Sequence, residues 1–92
     1  NPDKMEFLIR KTYFGDTESN PYNPEELAER IVSNLKSSFN KQKISYRKED
    51  NERYRVVVSF NEININNEEG VDTIIDIIEK VLLLYVILGK KQ

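Results

Sequence analysis

Residues 71–88, VDTIIDIIEKVLLLYVIL, decide the fold, because they form either one long helix or a helix followed by a strand. No glycine, proline or asparagine interrupts the chain between Asp72 and Leu88. A change from helix to strand usually takes place at such a residue. The stretch therefore predicts one continuous helix, with a strand over residues 82–88 as the alternative.

The same stretch changes character along its length. At about 100° per residue, one polar sector holds Asp72, Asp76, Glu79 and Lys80, and Leu83 and Ile87 fall into that sector further along. We expect an inner stripe of Ile74, Ile78, Val81 and Tyr85 to pack on the core. Leu83 and Ile87 would then be exposed, which predicts a contact with another chain. The neighbouring residues expected to join that contact are Leu84 and Leu88.

Upstream, the pattern predicts one strand and one helix. Residues 6–14, EFLIRKTYF, are rich in β-branched and aromatic residues and end at a glycine, which indicates a strand. Residues 16–23 have the composition of a loop. Asn23 suits an N-cap and Pro24 the first helical position, so a helix is expected to about Phe39. Its apolar residues form one stripe: Leu27, Ala28, Ile31, Val32, Leu35 and Phe39.

Two further strands complete the pattern. Residues 43–48 and 53–60 alternate with period two, and the four residues between them suit a hairpin. The predicted order is β-α-β-β-α, an α+β two-layer sandwich. Its three-stranded antiparallel sheet has the order 1-3-2, with both helices on one face. A terminal strand would instead give a full ferredoxin-like β-α-β-β-α-β fold.

The length of the chain indicates one domain. Residues 1–92 fit a single α+β unit. Met5 is the only methionine and opens the first strand, so residues 1–4 are interpreted as an added or disordered segment, or as part of a longer chain.

The composition excludes several kinds of chemistry. The sequence has no cysteine, histidine or tryptophan, so thiol nucleophiles, imidazole acid–base catalysis and Cys/His zinc sites are ruled out. Its carboxylates follow exposed helix faces and form no recognisable catalytic pair. No catalytic residue, metal ligand or cofactor site is predicted. The apolar run 81–88 is too short to span a membrane, and no signal peptide is visible, so we expect a cytoplasmic protein without a membrane partner.

Positive charge is concentrated in the hairpin. Residues 36–55 carry seven basic and three acidic side chains, whereas the whole chain has a net charge of −2. Period-two geometry places four of the basic residues on one sheet face: Lys43, Arg47, Arg53 and Arg55. Such a face is typical of nucleic-acid binding, but it is also typical of an ordinary solvated sheet surface.

These patterns lead to two hypotheses. The first is a non-enzymatic protein–protein interaction module, an inhibitor, adaptor or assembly subunit that self-associates through its C-terminal helix or binds another protein there. The second is a nucleic-acid-binding domain that uses the basic face of the hairpin.

Overall fold

The computed structural model describes residues 4–10, 13–14, 17–18, 22–60, 63 and 66–89. The strands are β1 (Lys4–Arg10), β2 (Tyr13–Phe14), β3 (Thr17–Glu18), β4 (Ile44–Asp50) and β5 (Arg53–Ser59), and the helices are α1 (Pro24–Ser38) and α2 (Glu68–Gly89). The long elements follow the order β-α-β-β-α. Because α2 continues to Gly89, the alternative with a strand over residues 82–88 is excluded.

The main sheet has the predicted topology. β5 lies between β1 and β4 and is antiparallel to both, which is the order 1-3-2 when the three long strands are counted. The register of β4 against β5 shifts between Lys48 and Asp50, as expected for a β-bulge. Lys4 pairs with Ser59, so β1 already includes a residue that the sequence analysis placed in the segment 1–4.

The first strand is shorter than predicted. β1 ends at Arg10 rather than Phe14, because its partner strand begins at Arg53 and offers no residue beyond that pair. Tyr13 and Phe14 pair instead with Glu18 and Thr17 in a separate two-stranded ribbon. Part of the predicted loop over residues 16–23 is therefore β3.

Helix α1 begins and ends close to the predicted positions. The Asn23 side chain accepts a hydrogen bond from the backbone N–H of Glu26 over 2.8 Å, and Pro24 opens the helix. These contacts satisfy one of the free amides of the first turn and fix the point where the helix starts. Phe39 is the C-cap residue, and its N–H donates to the carbonyl of Leu35.

The core lies between the helices and one face of the sheet. Its buried residues come from β1, β4, β5 and both helices: Ile9, Leu27, Ala28, Ile31, Val32, Leu35, Ile44, Val56, Val58, Ile77, Val81 and Leu84. Both helices contribute to this single cluster, so both pack on the same side of the sheet. The opposite sheet face carries no helix among the described elements.

The inner face of α2 differs from the prediction. Ile77, Val81 and Leu84 are its buried residues, whereas Ile78, which was expected to face inward, is 37% exposed. The prediction placed the core directly opposite the acidic row. In the structure the buried face of α2 is rotated about the helix axis from the predicted one and is centred on Ile77, Val81 and Leu84. The helix carries more apolar residues than the sheet and α1 can cover, so Ile78 stays exposed.

Candidate interaction surface on the C-terminal helix

Helix α2 exposes a continuous line of apolar side chains along almost its entire length. Successive members are separated by four, three, four and four residues, so they lie one above another on the helix surface. We call them the α2 stripe: Val71, Ile75, Ile78, Leu82 and Val86. At about 1.5 Å per residue, the stripe is roughly 22 Å long. Leu82, the most exposed of them, leaves 60% of its surface open to solvent.

Two of the four predicted contact residues lie beside this stripe. Leu83 and Ile87 are 53% and 47% exposed, in agreement with their position in the polar sector of the helix. Leu84 is only 7% exposed and belongs to the protein's own core, so it is not available to a partner. Leu88 is partly buried and packs against the same core. Its neighbours Val81 and Leu84 on the same helix face draw it inward.

The stripe itself was not predicted, because the prediction rests on apolar residues that interrupt the polar sector. The stripe lies between that sector and the core. The spacing of Val71, Ile75, Ile78 and Leu82 is the 4-3-4 pattern typical of a helix that packs on another helix. A search of the sequence for a second apolar line, rotated from the first, would have found it.

Hydrogen bonds fix α2, which carries the stripe, both near its start and in its second half. Near its N-terminus, the Asn67 side chain accepts a hydrogen bond from the backbone N–H of Gly70 over 2.8 Å. In its second half, the Tyr85 hydroxyl donates to the carbonyl oxygen of Arg10 over 2.6 Å and accepts from the Arg10 N–H over 3.4 Å. These contacts join α2 to the end of β1. The stripe is therefore part of a preformed surface.

Tyr85 also shows which way the stripe faces. At about 100° per residue, Tyr85 lies about 60° around the helix from the centre of the stripe. Its partner Arg10 ends β1, which is an edge strand of the main sheet. The stripe therefore lies on the side of α2 that is nearer to the β1 edge.

The charges of α2 are distributed unevenly. All of its acidic residues lie in its first twelve positions: Glu68, Glu69, Asp72, Asp76 and Glu79. Lys80 is the single basic residue up to Leu88, and residues 81–88 carry no charge. One end of the stripe is therefore bordered by carboxylates and the other by Leu83 and Ile87.

The three arginines of the hairpin, Arg47, Arg53 and Arg55, point away from the helices, as predicted. Arg47 lies opposite Arg55 in the register of β4 and β5, on the face without helices. Each of these three hairpin arginines has a carboxylate partner. Arg53 contacts Asp50 over 2.6 Å, Arg55 contacts Glu49 over 2.9 Å, and Arg47 contacts Glu6 of β1.

The ion pairs within the hairpin shift the pKa values of the carboxylates and arginines that form them. The hydrogen bond and the positive charge of Arg55 lower the pKa of Glu49, and the Arg53 side chain together with the Glu52 N–H lowers the pKa of Asp50. The same contacts raise the pKa of both arginines. Arginines held in this way have less charge available for a phosphate backbone. Lys43 makes no ion pair within the described part of the chain.

The aromatic residues of the hairpin lie on the helix side of the sheet. Tyr46 and Tyr54 are partly buried against the core, with ring centroids 6.1 Å apart. In the described strands β1, β4 and β5, no aromatic side chain lies on the opposite face. That face therefore offers cations but no platform on which bases could stack.

Other kinds of site find little support in the described residues. A groove of about 380 Å³ lies between the end of α1 and the start of α2, and Lys41 and Glu69 are the titratable residues among its described lining. No cluster of three carboxylates there or elsewhere in the described ranges is placed to hold a metal ion. Neither described helix combines the length and the apolar character needed to cross a membrane.

No protein-family model matches the chain, and the comparisons with curated proteins and with solved structures also find no match.

Proposed function

We propose that this protein is a non-enzymatic protein–protein interaction module that self-associates through α2, as an assembly subunit, adaptor or inhibitor. One observation carries the proposal: the α2 stripe leaves five large apolar side chains open to solvent on one side of a single helix. An exposed apolar patch of this kind is typical of a contact with another protein.

The energy available is of the scale that a reversible contact needs. Full burial of a large aliphatic side chain is worth roughly 1.5–3 kcal/mol, so side chains that are half buried already would gain about 1 kcal/mol each. The stripe together with Leu83 and Ile87 would supply on the order of 10–15 kcal/mol from two copies. Association itself costs roughly 4–15 kcal/mol. A micromolar dissociation constant, about −8 kcal/mol, therefore requires an association cost near the lower end of this range.

The stripe can pack against the same stripe of a second copy of the chain. A two-fold contact uses the same patch on both chains, which requires only that the patch be complementary to itself. A line of Val, Ile and Leu side chains at spacings of three and four residues can interdigitate with a second copy of the same line. No charged side chain lies within the stripe to oppose this contact.

The test is the mass of the protein in solution. Ile78→Glu places a carboxylate in the middle of the stripe and should produce a monomer that is still folded. Ser33→Glu adds the same group to an exposed position of α1 and should remain a dimer. Sedimentation gives the mass, and circular dichroism reports the fold. A parent protein that is monomeric at about 100 μM, well above a micromolar dissociation constant, contradicts the proposal.

A double variant shows whether the contact is centred on the stripe or on the neighbouring pair Leu83 and Ile87. Leu83→Lys with Ile87→Glu removes the exposed pair outside the stripe and leaves the inward-facing Ile77, Val81 and Leu84 unchanged. If only this variant becomes monomeric, the contact is centred on Leu83 and Ile87. If only Ile78→Glu does so, the contact is centred on the stripe.

Nucleic-acid binding is the second candidate function, favoured by the shared orientation of Lys43, Arg47, Arg53 and Arg55 on the open sheet face. The ion pairs of the three arginines weaken this alternative. Replacing Arg47 and Arg55 by Gln should reduce binding and flatten its dependence on salt, whereas Lys48→Gln on the other face should not. An anisotropy titration at about 50 mM salt measures this, and no binding by the parent protein there rules out the function.

A further inference from the structure

We infer that the sheet face without helices, called here the open face, is a docking site for the outer side of α2 of a second copy of the chain. This contact goes beyond the proposed pairing through the stripe, because it uses other surfaces of the molecule. The opposite charges of the two surfaces, their exposed apolar residues and their matching length carry the inference.

The outer side of α2 combines carboxylates with two apolar residues. At about 100° per residue, all five acidic residues of the helix fall, together with Leu83 and Ile87, into a sector about 100° wide. The centre of this sector lies roughly 140° from the buried face of the helix, so it points away from the protein's own core. The stripe lies about 90° to one side of it, so both surfaces can be occupied at the same time.

The open face carries an excess of positive charge. Strand alternation and the ion pairs described above place five cations and three carboxylates of β1, β4 and β5 on it. The cations are Lys4, Arg10, Arg47, Arg53 and Arg55, and the carboxylates are Glu6, Glu49 and Asp50. Lys43 extends the same ladder by one residue, because its carbonyl accepts a hydrogen bond from the Ser59 N–H over 2.9 Å.

The cations in excess lie toward the two ends of the sheet. Arg10 and Lys43 make no ion pair within the described ranges. Lys4 contacts Glu6 over 3.9 Å, and the same carboxylate also contacts Arg47. The carboxylates of an incoming helix can therefore meet cations without displacing the partners of the three hairpin arginines.

Exposed apolar side chains lie on both surfaces. On the open face, Leu8 is 37% exposed, and the half-buried Val57 lies in the next row of the sheet, opposite Glu6. Leu83 and Ile87 can cover these two residues when α2 packs on the sheet. A phosphate backbone offers no apolar group for them. The combined pattern of charged and apolar residues therefore favours the outer side of α2 as the occupant rather than a nucleic acid.

The two surfaces also match in size. The outer side of α2 is about 22 Å long from Asp72 to Ile87, and a strand of seven residues spans about 23 Å. Three strands are roughly 14 Å wide, which accommodates one helix of about 10 Å. Each chain offers one surface to one neighbour and a different surface to the next. The contact is therefore head to tail, and copies can add in succession.

Ionic strength separates this contact from the stripe. In the Ile78→Glu variant, which lacks the stripe contact, association is expected at about 10 mM salt and should be lost at about 150 mM, because the Debye length falls from roughly 30 Å to 8 Å. The association constant should fall at least about tenfold over this range. Sedimentation at several protein concentrations measures the change. The stripe contact is apolar and should persist in the parent protein at the higher salt.

Charge reversal in the same background tests which residues meet. Asp76→Lys with Glu79→Lys on α2, and Arg10→Glu with Lys43→Glu on the sheet, should each abolish association at low salt. A mixture of the two reversed proteins should restore it, because the reversed α2 then meets a reversed open face. The control, Glu25→Lys with Glu29→Lys on α1, changes the net charge as the α2 variant does and should still associate. Circular dichroism reports whether each variant is folded.

The outcomes separate this contact from the proposed function. An Ile78→Glu variant that stays monomeric at about 10 mM salt overturns the inference. Association that survives both charge reversals, or a mixture that does not associate, also overturns it. So does nucleic acid that binds the open face of a protein that does not self-associate. A parent protein that is monomeric at about 150 mM salt but associates through these charges at low salt contradicts the stripe contact and leaves this inference intact.

Discussion

Leu35 is fully buried on the inner side of α1, and its replacement tests how the core is built. Leu35→Ala should lower the free energy of unfolding by about 2–4 kcal/mol, because it removes apolar contacts and leaves a cavity. Glu29→Ala, on the exposed side of the same helix, should change it by less than about 0.5 kcal/mol. Chemical denaturation measures both variants. Equal losses would show that α1 presents a different face to the core.

Tyr85 provides a second test at the level of a single residue. Tyr85→Phe removes the hydroxyl that exchanges two hydrogen bonds with the backbone of Arg10. The expected loss is about 0.5–1.5 kcal/mol, since the Arg10 carbonyl must then be satisfied by water.

A matched tyrosine controls for the loss of a hydroxyl in general. The Tyr54 hydroxyl makes no hydrogen bond in the described part of the structure, so Tyr54→Phe should stay within about 0.5 kcal/mol of the parent. If the two variants lose the same stability, the contact between α2 and β1 contributes nothing measurable.

The β4–β5 hairpin predicts a dependence of stability on pH. The pKa values of Glu49 and Asp50 are lower in the folded protein than their ordinary values of 4.5 and 3.8. The unfolded chain therefore binds protons more readily in acid. The contribution of these ion pairs is complete above the ordinary values and is lost as the pH falls through the lower pKa values of the folded state.

The variants Glu49→Gln and Asp50→Asn test this dependence. At neutral pH both should be less stable than the parent, and the difference should narrow as the pH is lowered below 4.5. Glu52→Gln is the control in the same turn, because the Glu52 side chain makes no ion pair among the described residues. Urea denaturation over a series of pH values gives the result. A difference that stays constant with pH would mean that the ion pairs contribute nothing.

Elements whose local signals agree could be predicted from the sequence. Asn23, Pro24 and a single apolar stripe all indicate the same start and the same buried face for α1, and the structure confirms them. The alternation of β4 and β5 likewise predicted which residues face the core. These features depend on neighbours along the chain, which the sequence displays directly.

Features that depend on distant partners could not be predicted in the same way. The end of β1 at Arg10 is set by where β5 begins, more than forty residues later. The rotation of α2 depends on how much of its apolar surface the sheet and α1 can cover. The sequence therefore predicted an exposed surface on α2 and two of its residues, Leu83 and Ile87, but not the stripe beside them.

For the molecule as a whole, self-association predicts a melting temperature that rises with protein concentration. A tenfold increase is worth about 1.4 kcal/mol per dimer, or half of that per chain, which corresponds to about 3–6 °C for a domain of this size. Ile78→Glu should remove the dependence, and Ser33→Glu should keep it. Calorimetry at two or three concentrations gives the comparison. A parent protein whose melting temperature does not depend on concentration would contradict the dimer.

The pairing of β1 with β5 imposes a delay during synthesis of the chain. Lys4 can pair only after its partner Ser59 has been synthesised, more than fifty residues later. At about 5–20 residues per second, this interval is roughly 3–10 seconds. Meanwhile Met5, Phe7 and Ile9, which later face the core, have no partner strand to cover them. The nascent chain thus carries an unprotected apolar strand for seconds before the hairpin that receives it has been made.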